Sequence, residues 1–179
     1  MRRAFCVALA LLMLAAACKE RKPRPRNLNA ENQVAPRVIR LYYESPDLLL
    51  VPELRNVQLP QSPAGAMSVV ARELLKGSAN AGVPRLLPAD TVVRGAFLLP
   101  DGTAFVDLGG PTLTSGWPAG SHEELMAVYS IVQTITSNFA EAKRVRILLN
   151  GAPAETLAGH IALDRSLTPN SSLVDSRAP

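Results

Sequence analysis

Residues 121–149 read SHEELMAVYSIVQTITSNFAEAKRVRILL, and the change of period inside this stretch decides the fold. Leu125, Val128, Tyr129, Val132, Ile135 and Phe139 recur at intervals of three and four, which lines one face of an α-helix. The β-branched content would suit a strand, but about 18 residues is well beyond ordinary strand length. Ser121 with Glu124 three residues on predicts a capping box, and Glu123 suits the positive helix terminus. Beyond the helix the period falls to two. Val145, Ile147 and Leu149 alternate with Arg144 and Arg146, predicting a strand with its apolar side inward and arginines outward. Asn150-Gly151 then predicts a second short hairpin that ends near Thr156.

Upstream, Thr91–Leu99 and Thr103–Leu108 flank Asp101-Gly102, a hairpin signal because both central residues can take positive φ. Gly109-Gly110-Pro111 breaks the second strand. Ser62 as cap, Pro63 in the first turn and Gly77 as stop bracket an earlier helix, whose Met67, Val70, Ala71 and Leu74 form its apolar stripe. Arg37–Tyr43 reads as a strand, Glu44–Asp47 as a turn and Leu48–Val51 as the return, with Leu54–Leu59 continuing it past Pro52. The order is strands, helix, hairpin, helix, hairpin. That order predicts an α+β fold: a mixed or antiparallel β-sheet with two α-helices packed on one face.

The amino end reads differently. Arg2 and Arg3 precede an apolar run from Ala4 to Leu14, and Ala15-Ala16-Ala17 lead into Cys18. Charged start, short apolar run and small residues predict a removed signal over residues 1–17. The run rises only ~16 Å as a helix, about half of what spans a bilayer. A cysteine directly after the small triplet resembles a bacterial lipoprotein cleavage site, so Cys18 is the expected lipidation site and the membrane the first expected partner. More than one acyl chain is needed for stable anchoring, a condition that a diacylglyceryl cysteine meets. Cys6 and Cys18 are the only two cysteines, so the mature body is expected to hold no free thiol and no disulfide.

Charge divides along the chain. The formal net charge is +4, yet residues 1–26 carry seven basic residues against Glu20, and the remainder holds 12 basic and 14 acidic. A near-neutral body lacks the basic face that phosphate binding requires, which excludes nucleic acid as a partner. The basic cluster beside Cys18 suits anionic head groups, at about 1 kcal/mol per cation near the surface, or keeps the tether solvated. Residues 18–36, basic and proline-containing, are expected to be a linker. Residues 37–165 are expected to form one domain, and 166–179 a flexible tail rich in Ser, Asn and Pro.

Little in the body points to chemistry. His122 lies in the first turn of the second helix, and His160 in a turn where a local hydrogen bond is its expected role. His122, Glu123 and Glu124 lack the face spacing of a metal site, so no metal and no cofactor is expected. Ser121, His160 and Asp107 can be written as a triad, but no nucleophile-elbow motif supports it. Trp117, the only tryptophan, is either a contact residue on a long loop or a cover for the core edge. Arg37, Arg40, Arg144 and Arg146 form either a binding stripe or a solvated sheet face.

Leu87-Pro88-Ala89-Asp90-Thr91, then Asp101 to Leu108, Glu123 to Val132, Val145 to Gly151 and Glu155 to His160 follow one another in an order and spacing that resemble the GerMN domain, over roughly residues 37–165. That family takes its name from a sporulation and germination lipoprotein that carries two such domains in tandem; this chain has room for one. The resemblance implies a non-enzymatic envelope module with a partner-binding or assembly role, exported and tethered on the extracytoplasmic side. Its expected partners are another envelope protein or a second copy of itself. The competing expectation is an envelope binding protein for a small-molecule or glycan ligand, with its pocket near Trp117.

Overall fold

The computed structural model of the chain describes residues 34–177. Cys18, the signal over 1–17 and the linker up to residue 33 lie outside the described residues. Strands β1 (Val34–Glu44) and β2 (Leu50–Pro60) form a two-stranded antiparallel ribbon, followed by helix α1 (Pro63–Leu75). Strands β3 (Val92–Leu98) and β4 (Thr103–Gly109) form a hairpin. A short helix α2 (Pro111–Ser115) and the long helix α3 (Ser121–Asn138) then lead to β5 (Arg144–Leu149) and β6 (Ala152–Pro153). The second sheet has the order β3-β4-β5-β6, with β5 parallel to β4. A parallel neighbour needs a crossover, and α2 with α3 supplies it. The α+β class holds, with the strands divided between two sheets.

Helix α3 is the centre of the core. The expected stripe is only part of its buried surface: Met126, Ala127, Ser130, Ile131 and Thr134 are buried as well, while Leu125 and Tyr129 are half-buried. The reason is that α3 packs on β1, on α1 and on β5 together. Its polar residues meet β1 directly. Thr134 Oγ1 accepts the Tyr42 N–H at 3.1 Å and Asn138 Oδ1 accepts the Arg40 N–H at 2.9 Å. Asn138 Nδ2 donates back to the Arg40 carbonyl at 2.7 Å. Two side chains one helical turn apart thus satisfy the strand edge at Arg40 and the Tyr42 N–H, where another strand would otherwise be needed.

The carboxyl end of α1 is closed by groups from the ribbon. Tyr43 Oη donates to the Gly77 carbonyl at 2.9 Å and to the Leu74 carbonyl at 3.2 Å. Arg55 donates to the carbonyls of Glu73 (3.1 Å) and Gly77 (2.9 Å), and pairs with Glu53 at 2.6 Å. Helix ends leave carbonyls without partners, so a cation and a hydroxyl placed there stabilise the end. Burial pushes the Tyr43 hydroxyl up to about 12. Burial also raises Glu53, but the Ser78 hydroxyl, Arg55 and the Ala79 N–H outweigh it and hold this carboxyl below its ordinary value.

Four expectations change. Gly120, not Ser121, caps α3: the Glu123 side chain accepts the Gly120 N–H at 2.7 Å, because Glu124 points into the interior. Asp101-Gly102 is not a turn with two positive φ values. Gly102 alone has one, +82°, behind a turn whose central residues are Pro100 and Asp101. Asn150-Gly151 does have both, at 53° and 79°. The ribbon begins at Val34, so the last three residues of the expected linker are strand. The segment after Arg165 is packed rather than loose: Leu167 exchanges two backbone hydrogen bonds with Val145, each 2.8 Å, and Val174 bridges to Leu50.

Candidate interaction surface

The acidic residues of the motif blocks hold the backbone. Asp90 Oδ2 accepts the Thr112 N–H at 2.8 Å and its hydroxyl at 2.9 Å, fixing the start of α2 and holding its carboxyl below the ordinary range. Gly110 makes that approach possible, since a Cβ there would lie 2.7 Å from the Asp90 carbonyl. Asp107 Oδ1 accepts the Gly151 N–H at 2.8 Å, tying β4 to the Asn150-Gly151 turn. Glu124 is fully buried. Its Oε1 accepts the N–H groups of Leu157 (2.7 Å) and Ala158 (2.8 Å), and its Oε2 those of His160 (2.7 Å) and Ile161 (3.1 Å). One carboxylate therefore shapes the whole turn after β6. A buried carboxylate is tolerable only when hydrogen-bonded in this way.

The histidines and the formal triad follow the same pattern. His122 Nε2 meets Glu44 Oε1 at 2.5 Å, and His160 Nε2 meets the Ala119 carbonyl at 3.1 Å. Asp107 also meets Arg94 Nε, at 3.3 Å, so it faces Arg94 and Gly151 and not His160. Among the described residues no group of three His, Cys, Asp or Glu is placed to hold a metal ion.

Besides the exposed ribbon of β1 and β2, the outer face of the four-stranded sheet remains toward solvent. Alternation on β3 and β4 turns Ala96, Ala104, Val106 and Leu108 inward, and Phe97 and Phe105 outward. These two are paired in register, and their rings stack at 4.7 Å with an interplanar angle of 6°. Phe97 remains 44% exposed, with Leu99 exposed beside it. Arg146 stands next to Phe105 on the parallel neighbour and makes no ion pair among the described residues. Arg144 is committed: it donates to Thr103 Oγ1 at 2.8 Å and to Asp101 Oδ2 at 2.7 Å.

The structure therefore brings Arg144 and Arg146 together and leaves Trp117 elsewhere. Trp117 packs half-buried against the core and lines a cleft of about 330 Å³ with Glu44, Leu86, Leu87 and Pro118. The aromatic pair was missed in the sequence. The signal was there, because the turn at residues 99–102 places Phe97 opposite Phe105, and both belong to the outward set.

The comparisons agree with this architecture. A protein described as a lipoprotein from Clostridium perfringens superimposes with a TM-score of 0.51 at 13% identity, over 80% of this chain and 95% of that one. The tandem GerMN domains of the sporulation protein GerM from Bacillus subtilis give a TM-score of 0.51 at 22% identity. That match takes in 74% of this chain and 46% of the tandem protein. At these identities the likeness is one of fold. No curated protein matches the chain. The Germane family, described as sporulation and spore germination, matches residues 40–155. That span runs from the middle of β1 to just beyond β6, and on it the chain belongs to the Germane family, that of the GerMN domain.

Proposed function

We propose that the chain is an exported envelope protein, tethered through a lipidated Cys18, whose GerMN-type domain works by docking another envelope protein on the outer face of its four-stranded sheet. The observation that carries the reading is the stacked Phe97–Phe105 pair held exposed beside Arg146. Partly exposed aromatic residues and an arginine, here one without an ion pair among the described residues, are the side-chain types that anchor protein interfaces. The motif carboxylates and both histidines already hold backbone or one another, which supports a non-enzymatic role. No helix among the described residues is long and apolar enough to cross a membrane, so a tether at Cys18 supplies the anchor in this reading.

Crosslinking in native membranes tests it. The parent chain is expected to capture a discrete partner, and Phe97→Ser combined with Arg146→Glu to lose it while remaining folded. Equal capture by the double variant would sink the docking face, and a mature chain of unmodified mass would sink the tether. The family description extends the proposal to sporulation and germination; a deletion strain scored for spore formation tests that part. A ligand in the Trp117 cleft is the weaker reading, because its polar groups are engaged: Glu44 by His122, Glu123 by Gly120 and Arg85 by the Leu75 carbonyl.

A further inference from the structure

Strand β2 keeps one edge open. The ribbon pairs through its odd-numbered residues, because Arg40 and Tyr42 turn their N–H groups away to α3 and Leu50 turns its carbonyl out to the Asp175 N–H at 3.0 Å. By the same alternation Leu54, Asn56 and Gln58 direct both N–H and C=O away from β1. All three are exposed, Leu54 by 63%, and their backbone groups have no partner among the described residues. The other edges are treated differently. The outer edge of β1 is taken at Arg40 and Tyr42 by Asn138 and Thr134, which leaves only its first part, around Val38, exposed, and β3 carries a bulge between Val93 and Gly95.

Open edges are normally blunted by charge, by a bulge or by a cover. Between Pro52 and Pro60 the residues whose backbone points outward, Leu54, Asn56 and Gln58, are uncharged, while Glu53 and Arg55 on the opposite face are engaged with each other, with Ser78 and with the end of α1. The two prolines, which have no N–H to give, stand at equal distances on either side of Asn56.

We propose that this edge pairs with the same edge of a second copy of the chain, antiparallel about a two-fold axis through Asn56. In that register Asn56 meets its own counterpart, Leu54 meets Gln58 of the second copy, and Pro52 meets Pro60 of the second copy. Three opposed pairs exchange two bonds each, about six in all, and the ladder ends where the prolines lack donors. No like charges come opposite one another. The contact is isologous and closed, which gives a dimer with one continuous four-stranded sheet and no open β2 edge. An unrelated extended peptide would have no reason to match the symmetric placement of the two prolines. The inference is independent of the docking face around Phe97.

The test uses the full chain in detergent. Cα atoms of a hydrogen-bonded antiparallel pair lie about 5.5 Å apart, within disulfide range. Asn56→Cys is therefore expected to give an oxidised homodimer several-fold above the parent chain and above Leu48→Cys, a control at the exposed ribbon tip that also accounts for Cys6 and Cys18. Asn56→Lys places two cations across the axis; it is expected to sediment as a monomer with an unchanged circular dichroism spectrum and a melting midpoint independent of concentration, while the parent sediments as a dimer whose midpoint rises with concentration. A monomeric parent, a dimer that survives Asn56→Lys, or Asn56→Cys linking to a different polypeptide would each overturn the proposal.

Discussion

Glu124 on α3 and Leu157, thirty-three residues later, are joined by a 2.7 Å hydrogen bond from the Leu157 N–H to a carboxylate with no solvent exposure. The same carboxylate accepts three more backbone N–H groups, so a single side chain replaces secondary structure for the segment after β6. Glu124→Gln turns one acceptor oxygen into a donor that faces N–H groups. We expect a loss of about 3 kcal/mol, in line with buried groups left without a partner. Urea unfolding checks the size. Hydrogen exchange checks the cause, because the amides of Leu157, Ala158, His160 and Ile161 should exchange faster before the rest of the domain does.

Two turns share one design. Ser45-Pro46-Asp47-Leu48 and Leu99-Pro100-Asp101-Gly102 both place Pro then Asp at the centre and a positive φ last, 59° at Leu48 and 82° at Gly102. Leu48 is 58% exposed, so its side chain offsets little of the strain. Leu48→Gly is expected to stabilise by about 0.5 kcal/mol, the left-handed cost less the chain entropy of glycine. Gly102→Ala should do the reverse, by about 1 to 2 kcal/mol, since its Cβ would stand 2.9 Å from Lys143 Cγ and 3.0 Å from the Glu141 carbonyl. Denaturation midpoints at constant slope measure both.

Stability should fall at alkaline pH through Tyr43. Its folded pKa, about 12, lies above the ordinary value of 10.0, so its contribution is complete below pH 10 and disappears as pH rises toward 12. Tyr43→Phe should flatten this alkaline slope. It should also cost about 1 to 2 kcal/mol at neutral pH, because the carbonyls of Leu74 and Gly77 lose a donor. Glu53 acts at the other end: its lowered pKa gives stability present above the ordinary carboxylate value and lost as pH falls through the folded one. Glu53→Gln should weaken the acid slope, and should soften the alkaline one slightly as well, because the Glu53 charge helps to raise Tyr43.

Truncation after Arg165 removes more than a tail. Leu167 is buried beside β5, and Asp175 bonds the Leu50 carbonyl. The truncated chain is expected to lose about 2 to 3 kcal/mol, the burial of one leucine and a few backbone bonds. Thermal melting of the two chains side by side measures the loss; equal midpoints would return residues 166–177 to the status of a loose end.

Local order was legible because local physics sets it. The period of α3, the alternation on β5, the proline start of α1 and the Asn150-Gly151 turn depend on neighbours within a few residues. What the sequence hid were pairings between distant parts. Glu124 looked like half of a capping box until its partners at residues 157–161 were in place. Thr134 and Asn138 satisfy the edge of β1 at Tyr42 and Arg40, a role that no local pattern marks. Residues 166–177 looked loose because polar composition is silent about a few well-placed anchors such as Leu167 and Val174.

By itself the sequence determined the α+β class, the order of the longer strands and helices and the inward and outward sides of β5, since periodicity and turn chemistry act over short range; the short helix α2 was not foreseen. Only the tertiary structure decided that the strands divide into two sheets, that the motif acids bind backbone, and that Phe97 and Phe105 come together on an exposed face. Those outcomes rest on contacts between segments far apart in the chain, whose geometry no local preference specifies.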